Sequence, residues 1–342
     1  MNRMANRILK TKPEMNGWGR SMGLFSNPLS AISFSKNLLW ATGFVMVLFA
    51  SCEKTIDIEV PPSTASVVIE GTIETDDYPF VIISRSEDFF APISTSASAL
   101  ANSLVRDAEV FIKVDGVEHE IPKVCINDLP PEFREYAEDI LGFDDIPEEL
   151  DLCAYLSFDF VGEVGKTYGL RVIVDGEEYT STTTIPQKVD LEAMWFQLQP
   201  PENAQGYIWC TLDDPDTLGN AYRMYAERIG RDDRPIAVPG ASFEDRFFNG
   251  ERFDFNFARG SQFGVEEDED SAYYFKTGDL VAVKFATTDL GVYDFWETAD
   301  VAFAGEGNPF APPVQVKSNI SNGARGVWAG YGVTWDTVLC VP

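Results

Sequence analysis

The sequence predicts a mainly β protein: an N-terminal immunoglobulin-like antiparallel β-sandwich, then a second β-rich domain, sandwich or barrel, with one helix. Short β-branched runs alternate between apolar and polar residues, and two of them run directly into Asp–Gly pairs, which favour hairpin turns. One later window repeats apolar residues at helical spacing. Apolar residues make up 45% and aromatic residues 13% of 342 positions, which is enough to build a core and excludes a disordered chain.

The first domain is predicted over residues 52–188. Asp115–Gly116 and Asp175–Gly176 supply its hairpin turns, and Ile185–Pro186 closes its last strand. The boundary to the next domain is placed near Gln187–Val189. The predicted strands are Ala65–Glu74, Phe80–Ser84, Val110–Val114, Tyr168–Val174 and Tyr179–Thr184.

An insert over residues 126–152 interrupts this sandwich. Pro130 and Pro131 stand where a helix would begin and Gly142 where it would end, so the insert is predicted to carry a helix. Cys125 and Cys153 flank the insert, and a disulfide between them would hold it to its parent strands.

Four cysteines follow Cys52, and in an oxidising compartment an even number allows two disulfides in three pairings. We expect Cys125–Cys153 and Cys210–Cys340, with four reduced, buried thiols as the alternative. The chain contains no CxxC motif and no Cys–His cluster, so no metal site is predicted.

The second domain is predicted over residues 189–342, with its helix at residues 291–303. Asp289 or Thr288 can cap that helix. Its apolar face, which we expect to pack on a sheet, consists of Val292, Phe295, Trp296, Ala299 and Phe303. The predicted strands are Leu191–Leu198, Gly206–Leu212, Ala221–Arg228, Phe253–Phe257, Leu280–Thr287 and Gly326–Thr337.

Residues 1–51 have the layout of a leader with a lipoprotein signal peptide. The uncharged run Leu38–Ala50 is shorter than the roughly 20 residues that a membrane-spanning helix needs, and it ends in small residues directly before Cys52. We therefore expect a mature protein that begins at an acylated Cys52, with a single membrane-spanning anchor or a buried helix as the alternatives. The leader is long, which leaves Met1, Met15 and Met22 as alternative starts.

Charge separates the leader from the rest of the chain. The first 51 residues hold six of the 26 basic residues and one of the 55 acidic residues, so the remaining 291 residues carry a net charge of −34. Such a surface repels nucleic acid and anionic lipid. The lipid anchor is therefore expected to hold the protein at the membrane, and the acidity to keep it soluble rather than to steer a cationic ligand.

The chain resembles domain of unknown function 4249, a family of exported lipoproteins of Bacteroidota. The resemblance rests on Cys52–Ile58 with Val67–Gly71, on Val81–Ser86, and above all on Asn308–Phe310, Ser318–Ile320 and Gly326–Tyr331. The family's Gly-Gly-Leu-Gly type of turn reads Asn322-Gly-Ala-Arg-Gly326 here. The resemblance implies an accessory role beside a TonB-dependent outer-membrane receptor, and it brings no catalytic residues.

The residues themselves offer little for catalysis. His119 is the single histidine and lies in a predicted hairpin, and the chain has no Gly-x-Ser-x-Gly elbow, P-loop or dinucleotide fingerprint. Asp213–Asp216 is similar to a calcium loop but lacks the full spacing and the closing glutamate. Neither an enzyme nor a cofactor is predicted.

Aromatic residues of the last strand are the candidates for a partner surface. Trp328, Tyr331 and Trp335 supply the side chains that anchor interfaces, while ordinary core packing is the alternative for each. We expect a non-enzymatic outer-membrane lipoprotein, an accessory to a TonB-dependent receptor in ligand capture or uptake. The alternative is a stand-alone surface protein that binds glycan or peptide. The periplasmic and cell-surface leaflets both remain open.

Overall fold

The computed structural model describes residues 66–86, 97–130, 134, 150–199, 204–261, 272–305 and 314–341. Its helices are α1 (Ala97–Ser103) and α2 (Leu290–Ala304), and none of the described helices is long and apolar enough to cross a membrane. Its strands are β1 (Val67–Glu74), β2 (Phe80–Arg85), β3 (Glu109–Val114), β4 (Val117–Glu120), β5 (Lys123–Cys125), β6 (Cys153–Leu156), β7 (Thr167–Val174), β8 (Glu177–Thr184), β9 (Leu191–Leu198), β10 (Gln205–Asp213), β11 (Ala221–Arg228), β12 (Ile236–Glu244), β13 (Arg252–Phe257), β14 (Phe275–Lys276), β15 (Leu280–Thr288) and β16 (Arg325–Leu339).

One eight-stranded sheet, in the order β12-β11-β15-β16-β1-β2-β6-β5, runs through the fold. Two four-stranded sheets accompany it: β4-β3-β7-β8, and a sheet in which β9, β13 and β14 all pair with β10. The pairings are antiparallel except that between β1 and β16, which is parallel. The predicted fold class is confirmed as mainly β with antiparallel sheets and one main helix, and no sheet of the described residues closes into a barrel.

Each four-stranded sheet covers a different half of the large sheet. The first apolar cluster lies between β1–β2 and β3–β7 and includes Ile69, Ile112 and Leu170. The second lies between β11–β15 and the β9–β10–β13 strands, where alternation directs every second side chain inward. Helix α2 covers the opposite face of the large sheet and forms a third cluster with β16.

The predicted boundary near Gln187–Val189 does not separate two sheets. Strands from both sides of it belong to the large sheet, because β16, the last strand, lies between β15 and β1. The described residues between 66 and 341 accordingly belong to one compact unit. The chain builds two sandwiches that share a sheet rather than two separate domains.

Trp328 on β16 is the largest fully buried side chain of the first cluster. Its indole Nε1 donates to the carbonyl oxygen of Tyr168 at 2.9 Å, and its ring covers Gly71, where an added Cβ would lie 2.8 Å from the indole. Gly326 lets the strands meet, since its φ is 111° and a Cβ there would lie 2.0 Å from the Ile69 carbonyl oxygen.

The structure confirms the two hairpins and the helix that local sequence patterns predict. Asp115–Gly116 and Asp175–Gly176 have positive φ at both positions and close the β3–β4 and β7–β8 hairpins. Helix α2 covers the predicted residues and is capped by Asp289, whose carboxylate accepts the Val292 N–H at 3.0 Å. Phe303 departs from its predicted burial and is 67% exposed, because it lies in the last turn, beyond the sheet-facing contacts.

Of the two predicted disulfides, one is present and the other is not. Cys125 and Cys153 are directly opposed on β5 and β6 and are joined in a disulfide. The second expected pair is wrong, since Cys210 and Cys340 are free, buried thiols of the second cluster. Cys210 lies on β10 and Cys340 follows β16 in a different sheet, and burial raises the pKa of each thiol to about 12. The predicted helix of the insert and Cys52 lie outside the described residues.

Replacement of Trp328 by alanine should lower the free energy of unfolding by about 3–5 kcal/mol, because it leaves a cavity in the first cluster. The matched control Trp335→Ala removes a side chain that is 53% exposed and should stay within about 0.5 kcal/mol of the wild type. Urea unfolding followed by circular dichroism measures both changes. Equal losses in the two variants would contradict the described burial.

Reduction of the Cys125–Cys153 disulfide should lower the free energy of unfolding by about 3–4 kcal/mol, from the loop entropy of the closed segment. Alkylation checks the pairing. In a Cys52→Ser background, the native, unreduced protein should resist labelling at pH 8, unfolding should expose Cys210 and Cys340, and only reduction should add the other two. A peptide that links Cys210 to Cys340 would contradict the assignment.

Candidate functional site

The predicted partner surface on β16 is only partly exposed. Trp328 is fully buried and Tyr331 is 2% exposed, so the prediction that they form a partner surface is wrong. Both faces of β16 are covered at these positions, by the first cluster on one side and by helix α2 on the other. Trp335 lies beyond that cover and is 53% exposed.

Trp335 lies on the wall of an open cleft of about 650 Å³. The end of β1 and the turn after it form one side, and β15 and β16 form another. The segment between β8 and β9 completes the cleft. The lining residues are Glu74, Thr75, Asp76, Asp77, Lys188, Asp190, Lys284, Val333, Thr334 and Trp335.

The Lys284 ammonium group of the cleft is held by a carboxylate and lies near two aromatic rings. Its Nζ lies 2.6 Å from the Glu74 carboxylate, 5.4 Å from the centre of the Tyr225 ring and 5.8 Å from that of Trp335. The side chains of Lys284 and Glu74 are only 16% and 20% exposed. The ion pair and the two aromatic rings therefore hold the ammonium group beside the indole.

A second cation lies behind this group, under helix α2. Arg223 is 3% exposed, and its guanidinium carbon lies 3.9 Å from the Trp296 ring centre. The guanidinium donates to the Tyr225 hydroxyl at 2.9 Å, to Ser242 Oγ at 2.6 Å and to the Asp300 carboxylate at 3.1 Å. These bonds fix Tyr225, and through it one of the two rings that face Lys284.

Tyr331 belongs to the same layer but not to the cleft surface. Its hydroxyl accepts the Trp296 indole N–H at 2.7 Å, and burial raises its pKa well above the ordinary tyrosine value. Tyr331 is therefore a neutral hydrogen-bonded core residue under α2. Its carbonyl oxygen accepts the Thr75 N–H at 2.9 Å and so positions the turn at the edge of the cleft.

Three charged groups of the cleft are open to a ligand. Asp76, Lys188 and Asp190 are exposed, and no described residue forms a hydrogen bond or an ion pair with their charged groups. Asp76 is held in place by its backbone, since its N–H donates to the Gly162 carbonyl at 2.9 Å and its φ is 64°. The cleft thus combines one exposed indole with uncommitted carboxylates and an amine.

Two buried carboxylates outside the cleft have structural partners, and one of them, Asp214, belongs to the segment that is similar to a calcium loop. Asp214 accepts hydrogen bonds from the Tyr222 hydroxyl and the Gly250 N–H, and Asp245 accepts the N–H groups of Gly219 and Asn220. These carboxylates hold two turns together rather than presenting oxygen to a cation. Within the described ranges, the one group of metal-ligating type is Cys125, Asp151 and Cys153, whose two sulfurs form the disulfide.

His119 lies on β4 beside the Phe160 ring, with 4.9 Å between ring centres, and is not part of the cleft lining. Sequence reasoning missed Glu74, Lys188, Asp190 and Lys284, which come from three separate segments. One signal was available for Lys284: it is the single charge in the apolar run Leu280–Thr287 and alternates with the inward-facing residues.

The fold and the cleft define a class, a β-sandwich protein with a shared central sheet and a polar cleft that is lined in part by one tryptophan. The family model described as domain of unknown function (DUF4249) matches residues 53–335, so the chain belongs to that family. Comparison with curated proteins gives no match.

Proposed function

We propose that this protein is an exported, non-enzymatic lipoprotein of the outer membrane that serves a TonB-dependent receptor in ligand capture or uptake. The observation that carries the proposal is the cleft, in which an exposed tryptophan lies near charged groups that have no partner among the described residues. Its described lining supplies hydrogen bonds and a stacking surface, while Lys284 already occupies one carboxylate, Glu74, in an ion pair. Such a lining suits binding better than bond cleavage.

Attachment to the membrane is the second part of the proposal. Residues 52–342 carry a net charge of −34, which disfavours adsorption to anionic lipid, so an anchor is needed to keep the protein at a bilayer. The apolar run Leu38–Ala50 and the small residues before Cys52 supply that anchor by lipidation. Several acyl chains on one residue hold a protein far more firmly than one chain does.

A stand-alone surface protein for glycan or peptide is the second candidate, because the same cleft can bind a ligand without a receptor. The two functions differ in one observable, the presence of a receptor in complexes from native membranes. Ligand binding by the isolated protein fits both, so it does not decide between them.

The Cys52→Ser variant should lose lipid labelling and membrane retention, since it removes the thiol that is acylated. Cells are fed an alkyne fatty acid, and the tagged protein is then assayed in the membrane and soluble fractions. Ser51→Ala is the matched control, because it keeps a small residue before the cysteine and should stay labelled. Labelling of Cys52→Ser at the wild-type level would refute the anchor.

The protein, tagged at its C-terminus and extracted from native membranes in mild detergent, should recover a large β-barrel receptor. An unrelated lipoprotein with the same tag controls for lipid-driven association. Mass spectrometry identifies the recovered partner. Recovery of the protein alone in several gentle detergents, at native expression, would reject the accessory role and favour the stand-alone function.

A further inference from the structure

The chemistry of the cleft narrows the class of ligand that it can take. Its described lining holds four carboxylates and two amines, which are Glu74, Asp76, Asp77, Asp190, Lys188 and Lys284. Carboxylates outnumber amines in the lining, and the surrounding surface is strongly acidic. An anionic ligand would therefore be repelled both during approach and inside the cleft.

A cationic ligand meets a different obstacle. A cation is attracted to an indole when it lies over the ring, within about 6 Å of the ring centre. The Lys284 ammonium already lies 5.8 Å from the centre of the Trp335 ring. Glu74, one of the four carboxylates of the lining, is already paired with Lys284 at 2.6 Å. A ligand ammonium stacked on the indole would be repelled by Lys284 from a short distance.

A neutral, hydroxyl-rich ligand meets neither obstacle. The exposed part of the Trp335 indole offers a flat apolar surface for the C–H face of a sugar ring. Carboxylates accept hydroxyl protons and an ammonium donates to hydroxyl oxygens, and hydrogen bonds to charged groups are the stronger kind. Asp76, Asp190 and Lys188 have no described partner for their charged groups and can make these bonds.

The size of the cleft agrees with such a ligand. A volume of about 650 Å³ falls within the range of sites for small organic ligands, roughly 300–1,000 Å³. Because the cleft is open, a longer chain can extend past it while one or two rings lie inside.

We propose that the cleft binds a neutral oligosaccharide, with one sugar ring stacked on Trp335 and its hydroxyls bonded to Asp190, Lys188 and Asp76. The proposal rests on the proposed function only in taking the cleft as the ligand site.

The test applies the full-length, detergent-purified protein to a printed array of neutral and acidic oligosaccharides, together with lysine-rich peptides. A neutral oligosaccharide should bind, and titration calorimetry with that probe then gives its affinity. Trp335→Ala should weaken binding about tenfold or more, the scale of losing about 1.4 kcal/mol. Asp190→Asn tests the hydrogen bonds separately and should weaken binding without loss of folding.

Trp195→Ala is the matched control. Trp195 is a partly buried tryptophan on β9 that stacks on Trp209 and does not line the cleft, so its replacement should leave the affinity unchanged. Affinity for a neutral probe should also stay constant between about 0.05 and 0.5 M salt, whereas binding of a cationic peptide would weaken as charges are screened.

Several outcomes overturn the proposal: binding of lysine-rich peptides or acidic glycans only, no glycan binding at all, or an equal loss of affinity in Trp195→Ala and Trp335→Ala. The receptor experiment separates this failure from failure of the proposed function. Recovery of a receptor without glycan binding rejects the ligand class alone. Glycan binding without a receptor rejects the accessory role and leaves the ligand class standing.

Discussion

The parallel pairing of β1 with β16 is the contact on which the rest of the structure depends. It aligns Val68 with Arg325 at one end and Glu74 with Tyr331 at the other, and so joins the two ends of the described chain. Pairing of strands so distant in sequence costs chain entropy, although that cost grows only slowly with loop length. Burial of Trp328 and its neighbours on both faces of β16 supplies the compensating stabilisation.

The cleft is a consequence of the same pairing. The Thr75 N–H bonds to the Tyr331 carbonyl just beyond the paired strands, which places Glu74 opposite Lys284. The Arg223 group beneath α2 then orients Tyr225 against the same lysine. The cleft therefore forms only when the last strand is in place, because β16 contributes part of its lining.

The charge of the molecule and the composition of the cleft fit together. The acidic surface disfavours adsorption to anionic headgroups, which agrees with the proposed lipid anchor. Electrostatic attraction would contribute little to the affinity for the neutral ligand that we propose. Stacking and short hydrogen bonds then have to supply affinity, and both need a rigid wall, which the central sheet provides.

The sequence by itself determined the features that depend on neighbours in the chain. Alternation located most strands, the Asp–Gly pairs located two hairpins, and helical spacing with Asp289 located α2, because each signal arises within a few residues. It missed the short strands β5, β6 and β14, and it missed β12, whose Pro239–Gly240 is typical of a turn but is tolerated at the edge of a sheet.

Only the tertiary structure decided how these elements combine. The shared sheet, the burial of Trp328 and Tyr331, the free thiols of Cys210 and Cys340 and the composition of the cleft all follow from which strands lie side by side. A strand's own alternation shows that it has two faces, but not what covers each face. The insertion of β16 between β15 and β1 supplies that information, and no local pattern encodes it.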